Sequence, residues 1–305
     1  MRRMSGKPWA VAWRVGTARV VCLLAYVVAG GAALAVGLAC PAAGEHPIAV
    51  AAAADLVATL VIFAGSVALA NSSLYDPYWS VVPIPIAFYW ALGPGSEADA
   101  SGLRQACALA LVTAWGLRLT ANWLRGWQGF GHEDWRYVDM REGSGRAWGL
   151  VNFSGIHFFP TVIVFLGLLP LYPALVGGAR PFGLLDGLAI LVCGGGILLE
   201  TVADEQLRRF VRAGRARGAT LQTGLWSRVR HPNYLGENLF WWGLFLFGLA
   251  ADPSWWWTGI GALGITVMFF AASIPMIDRR MLARRPDYAE YKARVPALLP
   301  RPGRG

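Results

Sequence analysis

The sequence predicts an all-α, multi-span integral membrane helical bundle of about seven or eight transmembrane helices, closed by a C-terminal amphipathic helix at the membrane surface. Three observations predict it. Of 305 residues, 56% are apolar and 15% charged, against about a quarter charged in ordinary soluble domains. Long apolar runs recur along the whole chain, each suited to crossing a bilayer. The Lys and Arg residues fall almost entirely in alternate connections between those runs, as the positive-inside rule requires.

The apolar segments are 20–40, 47–70, 78–93, 103–117, 149–175, 182–203, 235–251 and 255–277. With the N-terminus inside, the inner pieces are 1–19, 71–77, 118–148, 204–234 and 278–305. These hold all of the 27 basic residues except Arg104 and Arg180. An even number of spans follows, with both termini inside. The stretch "MRRMSGKPWAVAWRVGTARV" resembles a signal n-region, but the run after it is long enough to span and no small-residue cleavage site precedes a soluble domain. Past Ile277 the tail places Ile277, Met281, Tyr288, Tyr291 and Val295 near one helical face. That pattern reads as an amphipathic helix along the inner surface, ended by Pro296. Repeats and low-complexity linkers are absent, so residues 1–305 read as one membrane domain.

Composition also narrows the function. The net charge of +9 sits beside the spans rather than on a soluble surface, which argues for membrane lipids and against nucleic acid. Cys22, Cys40, Cys107 and Cys193 lie in or at the ends of apolar runs, without a CxxC or a nearby His pair. They read as small apolar fillers, not as metal ligands. The outer side is nearly bare of polar groups, which disfavours a transporter.

Polar side chains in or beside a span are costly, and are functional candidates for that reason. "NSSLYDPYWSVVPIPIAFYW" supplies Asn71, Tyr75, Asp76, Tyr78 and Tyr89. "WGLRLTANWLRGW" sets Trp115, Arg118 and Asn122 on one helical stripe. The loop "GHEDWRYVDMRE" is dense in paired charges, and span five opens with Asn152 and His157. His157 reads equally as a satisfied bundle histidine or a site residue. "LLETVADEQLRRF" puts Glu200, Asp204 and Arg208 on one stripe, and "SRVRHPNYLGENLFWW" brings Arg228, Arg230, His231, Asn233, Tyr234 and Glu237 to the mouth of span seven. All lie on the inner side, where they can converge on one cavity. Arg212, Arg215, Arg217 and the tail arginines read as snorkelling groups. Asp55, well inside span two, has no evident partner. "CGGGI" at 193–197 has no strand before it and reads as close helix packing, not a dinucleotide fingerprint.

The chemistry of these groups suggests a ligand. Arg208, Arg209, Arg228 and Arg230 can hold phosphates bidentately. Asn233, Glu237, Glu200 and Asp204 can hydrogen-bond ribose hydroxyls or an amide. Such a set suits a dinucleotide or nucleoside cofactor bound by helix ends. Asp76, desolvated at the head of a short apolar helix, suits a catalytic acid assisted by Tyr75 or Tyr89. An Asp before Pro at a helix start is also an ordinary N-cap.

The segment Leu225 to Trp242, with "RHPNYLGENLFWWG" and the tail "RRPDYAEYKARVPALLP", resembles the C-terminal domain of the steroid 5-alpha-reductase family. "LYDPYWSVVPI", "WGLRLTANW" and "EDWRY" resemble its bacterial branch of uncharacterised membrane proteins, so the likeness covers roughly residues 70–300. The resemblance implies a multi-pass protein of the bacterial cytoplasmic membrane that binds NADPH from the cytoplasmic side. It implies reduction of the activated C=C of a hydrophobic, steroid- or isoprenoid-like enone. On it, Asn233 and Glu237 match the cofactor motif, Asp204 the acid closing the preceding span, and Arg208 a phosphate-side Arg. Arg118 matches the Arg after the span bearing the catalytic Tyr. The cofactor set is then Arg118, Asn122, Glu200, Asp204, Arg208, Arg230, His231, Asn233, Tyr234 and Glu237. Residues 71–175 become the substrate-pocket spans and 182–300 the cofactor region, with 1–70 outside the clearest likeness. The chain departs from the family at three places: Trp115 stands where the Tyr is expected, Tyr75-Asp76 where a Gln-Glu pair is expected, and Ile277 where a His is expected. Turns like "RHPNYLGE" also occur in sterol C14 and C7 reductases. A related "RHP" occurs in isoprenylcysteine carboxyl methyltransferases, so an S-adenosylmethionine-dependent membrane methyltransferase is the alternative.

Overall fold

The computed structural model describes residues 14–40, 46–93, 102–178, 180–214 and 218–300, and among them every regular element is helical. In chain order these are α1 (Val15–Ala39), α2 (Pro47–Ala68), α3 (Tyr78–Val81), α4 (Pro83–Leu92), α5 (Gly102–Gly126), α6 (Trp135–Ser144) and α7 (Trp148–Val151). A π-helical turn, Asn152–Phe158, leads into α8 (Phe159–Leu168), α9 (Leu171–Val176), α10 (Leu184–Arg212) and α11 (Pro232–Ala251). Then come α12 (Gly259–Met268), a second π turn at Phe269–Ser273, α13 (Ile274–Arg284) and α14 (Tyr288–Arg294). Arg215 and Arg217 lie outside the described residues.

Five helical runs are long and apolar enough to cross a membrane: Val15–Ala39, Pro47–Ala68, Trp135–Leu168, Leu184–Arg212 and Pro253–Arg284. α5 and α11 have 25 and 20 residues, roughly 37 and 30 Å of helix. They are not among the five: their runs are interrupted by Arg104, Arg118 and Arg125, or by Asn233, Glu237 and Asn238, and no long apolar stretch remains beside those residues. The predicted third span is two pieces, α3 and α4, because Pro83 starts a new helix at its first position. The predicted tail helix is also divided. Arg285, before Pro286, is extended, as a residue preceding proline prefers. Tyr288, Tyr291 and Val295 are buried with Met281 packed on them, so much of the stripe faces protein rather than lipid.

The described residues form two compact units, one made of those within 1–89 and 116–162, the other of those within 90–115 and 163–300. In the first, α1 packs on α2 and buries small residues, Ala18, Cys22 and Ala29. Its large residues point away: Leu23 is 64% and Leu38 71% exposed. Small side chains at the helix contact and large ones outside is the pattern of packing in lipid. Ala58, Ile62, Leu74, Tyr75, Tyr78 and Trp127 complete this core.

The second unit is built on α10 against α11. A Cβ on Gly196 would lie 2.6 Å from the Gly236 carbonyl oxygen, and one on Gly236 would lie 2.6 Å from that of Gly196. One turn or two further, Gly243 meets the backbone and sulfur of Cys193. Close packing at "CGGGI" is therefore what the structure has, carried by Cys193 and Gly196; Gly194 and Gly195 face open space.

The end of this unit at the start of α10 is less bare than its sequence suggests. Arg104 and Asp186, each with a side chain 1% exposed, form a two-pronged pair at 2.7 and 2.9 Å. The same guanidinium donates to the carbonyls of Arg180, Pro181 and Ala250. Asp186 also accepts from Gly183 N at the start of α10. A buried charge left alone is costly, whereas removing both members of a pair often is not. Arg104→Leu is expected to lose about 3–5 kcal/mol, read by unfolding in detergent. The double variant with Asp186→Leu should recover most of that loss.

Candidate functional site

In the first unit the polar residues gather where 71–76 meets the loop before α6. The Asn71 side chain donates to the carbonyls of Phe130 and His132. Ser72 N donates to Glu133 Oε1 at 2.8 Å, and Ser73 Oγ accepts from Asp134 N. Arg141 grips the buried Glu133 carboxylate with both terminal nitrogens. The loop read as dense in paired charges is thus pinned by the "NSS" turn. Asp134 caps α6 by accepting from Arg136 N. Burial pushes the Asp134 carboxyl up, but the Arg136 guanidinium and backbone N–H outweigh it and hold the group below its ordinary value.

Asp76 accepts from the Tyr137 hydroxyl at 2.7 Å. It does not cap α3, whose start has no side-chain cap. Burial pushes its carboxyl from 3.8 up to about 6, against the pull of the Tyr137 bond and the nearby Arg136 charge. Tyr137 was not singled out by the sequence; its place in a charge-rich loop was the available signal. Tyr75 is buried beneath, bonded to Thr161 Oγ1 at 2.8 Å and stacked on Tyr78. Tyr89 lies near the C-terminal end of α4, part-buried. Arg118 and Asn122 lie in the α5 residues that belong to this unit. His157 is a satisfied bundle histidine: its ring nitrogens meet Asn152 O at 2.9 Å and Ser66 Oγ at 3.0 Å.

In the second unit the "RVRHPN" turn is held from two sides. Gly224, at φ +63°, sits against the Gln206 amide so closely that a Cβ would collide. Gln206 accepts from Leu225 N, and the Trp226 indole donates to Ala203 O. From the other side comes the tail. Arg230 N donates to Pro296 O and His231 N to Ala297 O. The Arg230 guanidinium donates to Val295 O at 2.6 Å and to Asp278 at 3.0 Å. Asp278 also accepts from the Tyr288 hydroxyl, lies 3.1 Å from Lys292 Nζ and 3.4 Å from His231 Nε2. One buried carboxylate thus fastens the start of α11 to the last two helices. Arg230 and His231 are engaged by this clasp.

The remaining predicted groups fall along the α10–α11 contact. Asn233 Nδ2 reaches Asp204 Oδ1 at 3.4 Å, and Asn233 Oδ1 accepts from Tyr234 N. Glu200, one turn before Asp204, is buried against Gly236. Arg208 follows one turn later, 3.8 Å from Glu205. Tyr234 stacks between His231 and Phe269. Glu237 is buried further along α11, where its two oxygens accept from the Trp115 and Trp241 indoles at 2.9 and 2.8 Å. Trp115 in turn lies flat on Phe240, 4.5 Å between centroids. The structure therefore joins Glu200, Asp204 and Asn233 at one helix seam, with Arg208 beside them and Glu237 behind an indole pair. Among the described residues no cluster of three or more His, Cys, Asp or Glu could hold a metal ion.

The family described as "Protein of unknown function (DUF1295)" matches residues 62–295, a span that contains both polar clusters. The chain belongs to the DUF1295 family. The "Uncharacterized protein C594.04c" of Schizosaccharomyces pombe is 30% identical over 266 residues, covering 79% of this chain and 76% of that protein. No solved structure matches.

Two measurements probe the two clusters of this DUF1295 protein. With its pKa raised by folding, Asp76 favours the folded state most when protonated, so its contribution is full below pH 3.8 and is lost as pH rises to about 6. Asp76→Asn should gain melting temperature relative to wild type across that window, with a constant difference above it. Asp278→Ala should cost the tail about 3 kcal/mol, raising its open population roughly 100-fold. Trypsin cleavage after Lys292 and Arg294 reads this opening.

Proposed function

We propose that this protein is an NADPH-dependent membrane reductase acting on the activated C=C of a hydrophobic, steroid- or isoprenoid-like enone. The observation that carries the reading is the Glu200–Asp204–Asn233 seam at the mouth of α11, with Arg208 one turn away. The resemblance of "RHPNYLGENLFWWG" to the steroid 5-alpha-reductase family supports it, as does the family's bacterial membrane branch. The proposal includes eight crossings with both termini and this seam on the cytoplasmic side.

The donor set fits a dinucleotide. Asp204 and Glu200 offer acceptors for ribose hydroxyls, Asn233 offers a donor and an acceptor, and Arg208 and the exposed Arg228 offer guanidinium forks for phosphates. When bound, the cofactor supplies a hydride. The protein's part is to orient the cofactor, exclude water, and neutralise charge that develops on the enone oxygen. Asp76, whose carboxyl is raised to about 6, suits the proton-supplying role near neutral pH, with Tyr75 or Tyr89 assisting.

A second reading is favoured by one specific observation. Arg230 and His231 are held by Asp278 and the tail, so the phosphate set is smaller than the sequence suggests while the acidic seam is intact. An acidic seam with few cations also suits S-adenosylmethionine and methyl transfer. Thermal shift of the detergent-purified protein separates the two. NADPH should raise the melting temperature more than NADH, and Asn233→Ala and Arg208→Ala should each weaken that binding about tenfold, ~1.4 kcal/mol. Asp76→Asn should keep the NADPH shift and lose turnover. Stabilisation by S-adenosylmethionine in place of NADPH would overturn the reductase.

A further inference from the structure

Asp55 lies eight residues into α2 and is 5% exposed, roughly 12 Å along the helix from its outer end. A carboxyl at that depth is costly and is retained for a reason. Its side-chain partner is Tyr78, whose hydroxyl lies 2.8 Å from Asp55 Oδ1 and 2.9 Å from the Asp55 carbonyl. From Tyr78 the bonds continue. Thr59 Oγ1 is 3.1 Å from the Tyr78 oxygen, Thr161 Oγ1 is 2.9 Å from Thr59, and the Tyr75 hydroxyl is 2.8 Å from Thr161. All five residues are buried and all belong to the first unit.

Each hydroxyl in this line has one proton to give, and that makes the line directional. When Asp55 is ionised it can only accept. Tyr78 then donates to Asp55, Thr59 to Tyr78, Thr161 to Thr59, and Tyr75 to Thr161. Tyr75 is left with lone pairs alone and can only accept from anything else. When Asp55 carries a proton, every bond can reverse. Asp55 donates to Tyr78, Tyr78 to Thr59, Thr59 to Thr161, Thr161 to Tyr75, and the Tyr75 O–H is released. The heavy atoms are the same in both states.

We propose that Asp55 is the proton reservoir of a hydroxyl relay, Asp55–Tyr78–Thr59–Thr161–Tyr75, whose direction decides whether Tyr75 donates or accepts. Asp55 and Tyr78 act here through Tyr75. The use of the relay rests on the reductase reading; the coupling itself does not. In that reaction Asp76 hydrogen-bonds the oxygen that gains charge as hydride reaches the enone carbon, and Tyr75, assisting Asp76, hands that oxygen the one proton it takes up. Each hydroxyl then takes the proton of the next, and Asp55 is left as carboxylate. One proton and one hydride enter the product, and one proton from water resets Asp55. The titratable groups facing this line from packed elements are Tyr26 and Cys22 on α1, His157 on the π turn, and Asp76 beside Tyr75.

The test is an infrared pH titration of the detergent-purified protein carrying ring-13C tyrosine. Asp55→Asn identifies the Asp55 carboxyl band and Tyr75→Phe identifies the Tyr75 band. The Tyr75 band should shift with the same midpoint as the Asp55 band. Thr161→Val, which keeps both ends and the shape, should leave the Asp55 titration and abolish the Tyr75 response. Should Asp55→Asn not fold, Thr161→Val alone still decides the matter. A Tyr75 band that ignores Asp55 in wild type would overturn the relay, and would mean that Tyr78 donates to the Asp55 carbonyl in both states. A Thr161→Val protein that keeps the coupling would overturn it equally. With an enone and NADPH, Thr161→Val should lower kcat roughly 100-fold and leave the NADPH thermal shift unchanged. Absence of any NADPH shift in wild type would strike the reductase reading and leave the infrared result standing.

Discussion

The backbone-to-backbone approach of α10 and α11 at Gly196 and Gly236 sets the geometry of the second unit. Any side chain at either position would meet a carbonyl oxygen at 2.6 Å, so the two axes can come this near because both residues are glycine. The approach has a chemical result. It brings Asp204 on α10 to the Asn233 amide on α11, and it buries Glu200 against Gly236. In lipid, apolar area gains little by leaving one apolar medium for another, and close packing of small residues takes its place. The same contact that holds the helices together therefore assembles the acidic seam.

A second constraint follows from the apolar surroundings. Polar groups cut off from water need partners inside the protein. Glu237 is answered by two indoles, Asp186 by Arg104, Asp55 by Tyr78, and Asp278 by Arg230, Lys292 and Tyr288. These solutions differ in kind. Arg104–Asp186 neutralises charge with charge at one end of its unit. Glu237 accepts from the neutral N–H groups of two indoles, which ties its position to Trp115. That dependence gives Trp115 a role that its inability to donate a proton as a tyrosine does not exclude. It orients a carboxylate.

Much of this was legible in the sequence, and the limit is physical. Periodic apolar runs fall on α1, α2, α5, α10, α11 and the run ending in α13, because hydropathy and helix length are local properties. Pro83 and Pro286 were equally local, yet each divided a segment read as continuous. The seam of Glu200, Asp204 and Asn233 could be anticipated because each residue sits on a stripe of a single helix. Asp55 and Asp278 could not be placed. Their partners Tyr78 and Arg230 are distant in sequence, and no spacing rule connects a carboxyl in α2 to a tyrosine after the next turn. An isolated acid among the basic residues "IDRRMLARR" was the one local hint of the clasp.

The clasp changes what the "RHP" turn can be said to do. Its Arg and His resemble a phosphate cradle when read along the chain, but in space they bind Asp278 and two tail carbonyls. Loss of a cofactor on replacing Arg230 would then follow from an opened tail as readily as from a lost phosphate contact. Arg208 is ion-paired with Glu205 on its own helix, 3.8 Å away. The tail and the turn are thus one folded element. The turn shapes the entrance of α11 by fixing His231 and Pro232, and the seam begins at the next residue, Asn233. A motif shared by proteins with different cofactors is understandable on this basis. What the turn fixes in this chain is the start of a helix, and the seam lies in the groups that follow it on α11 and face it from α10.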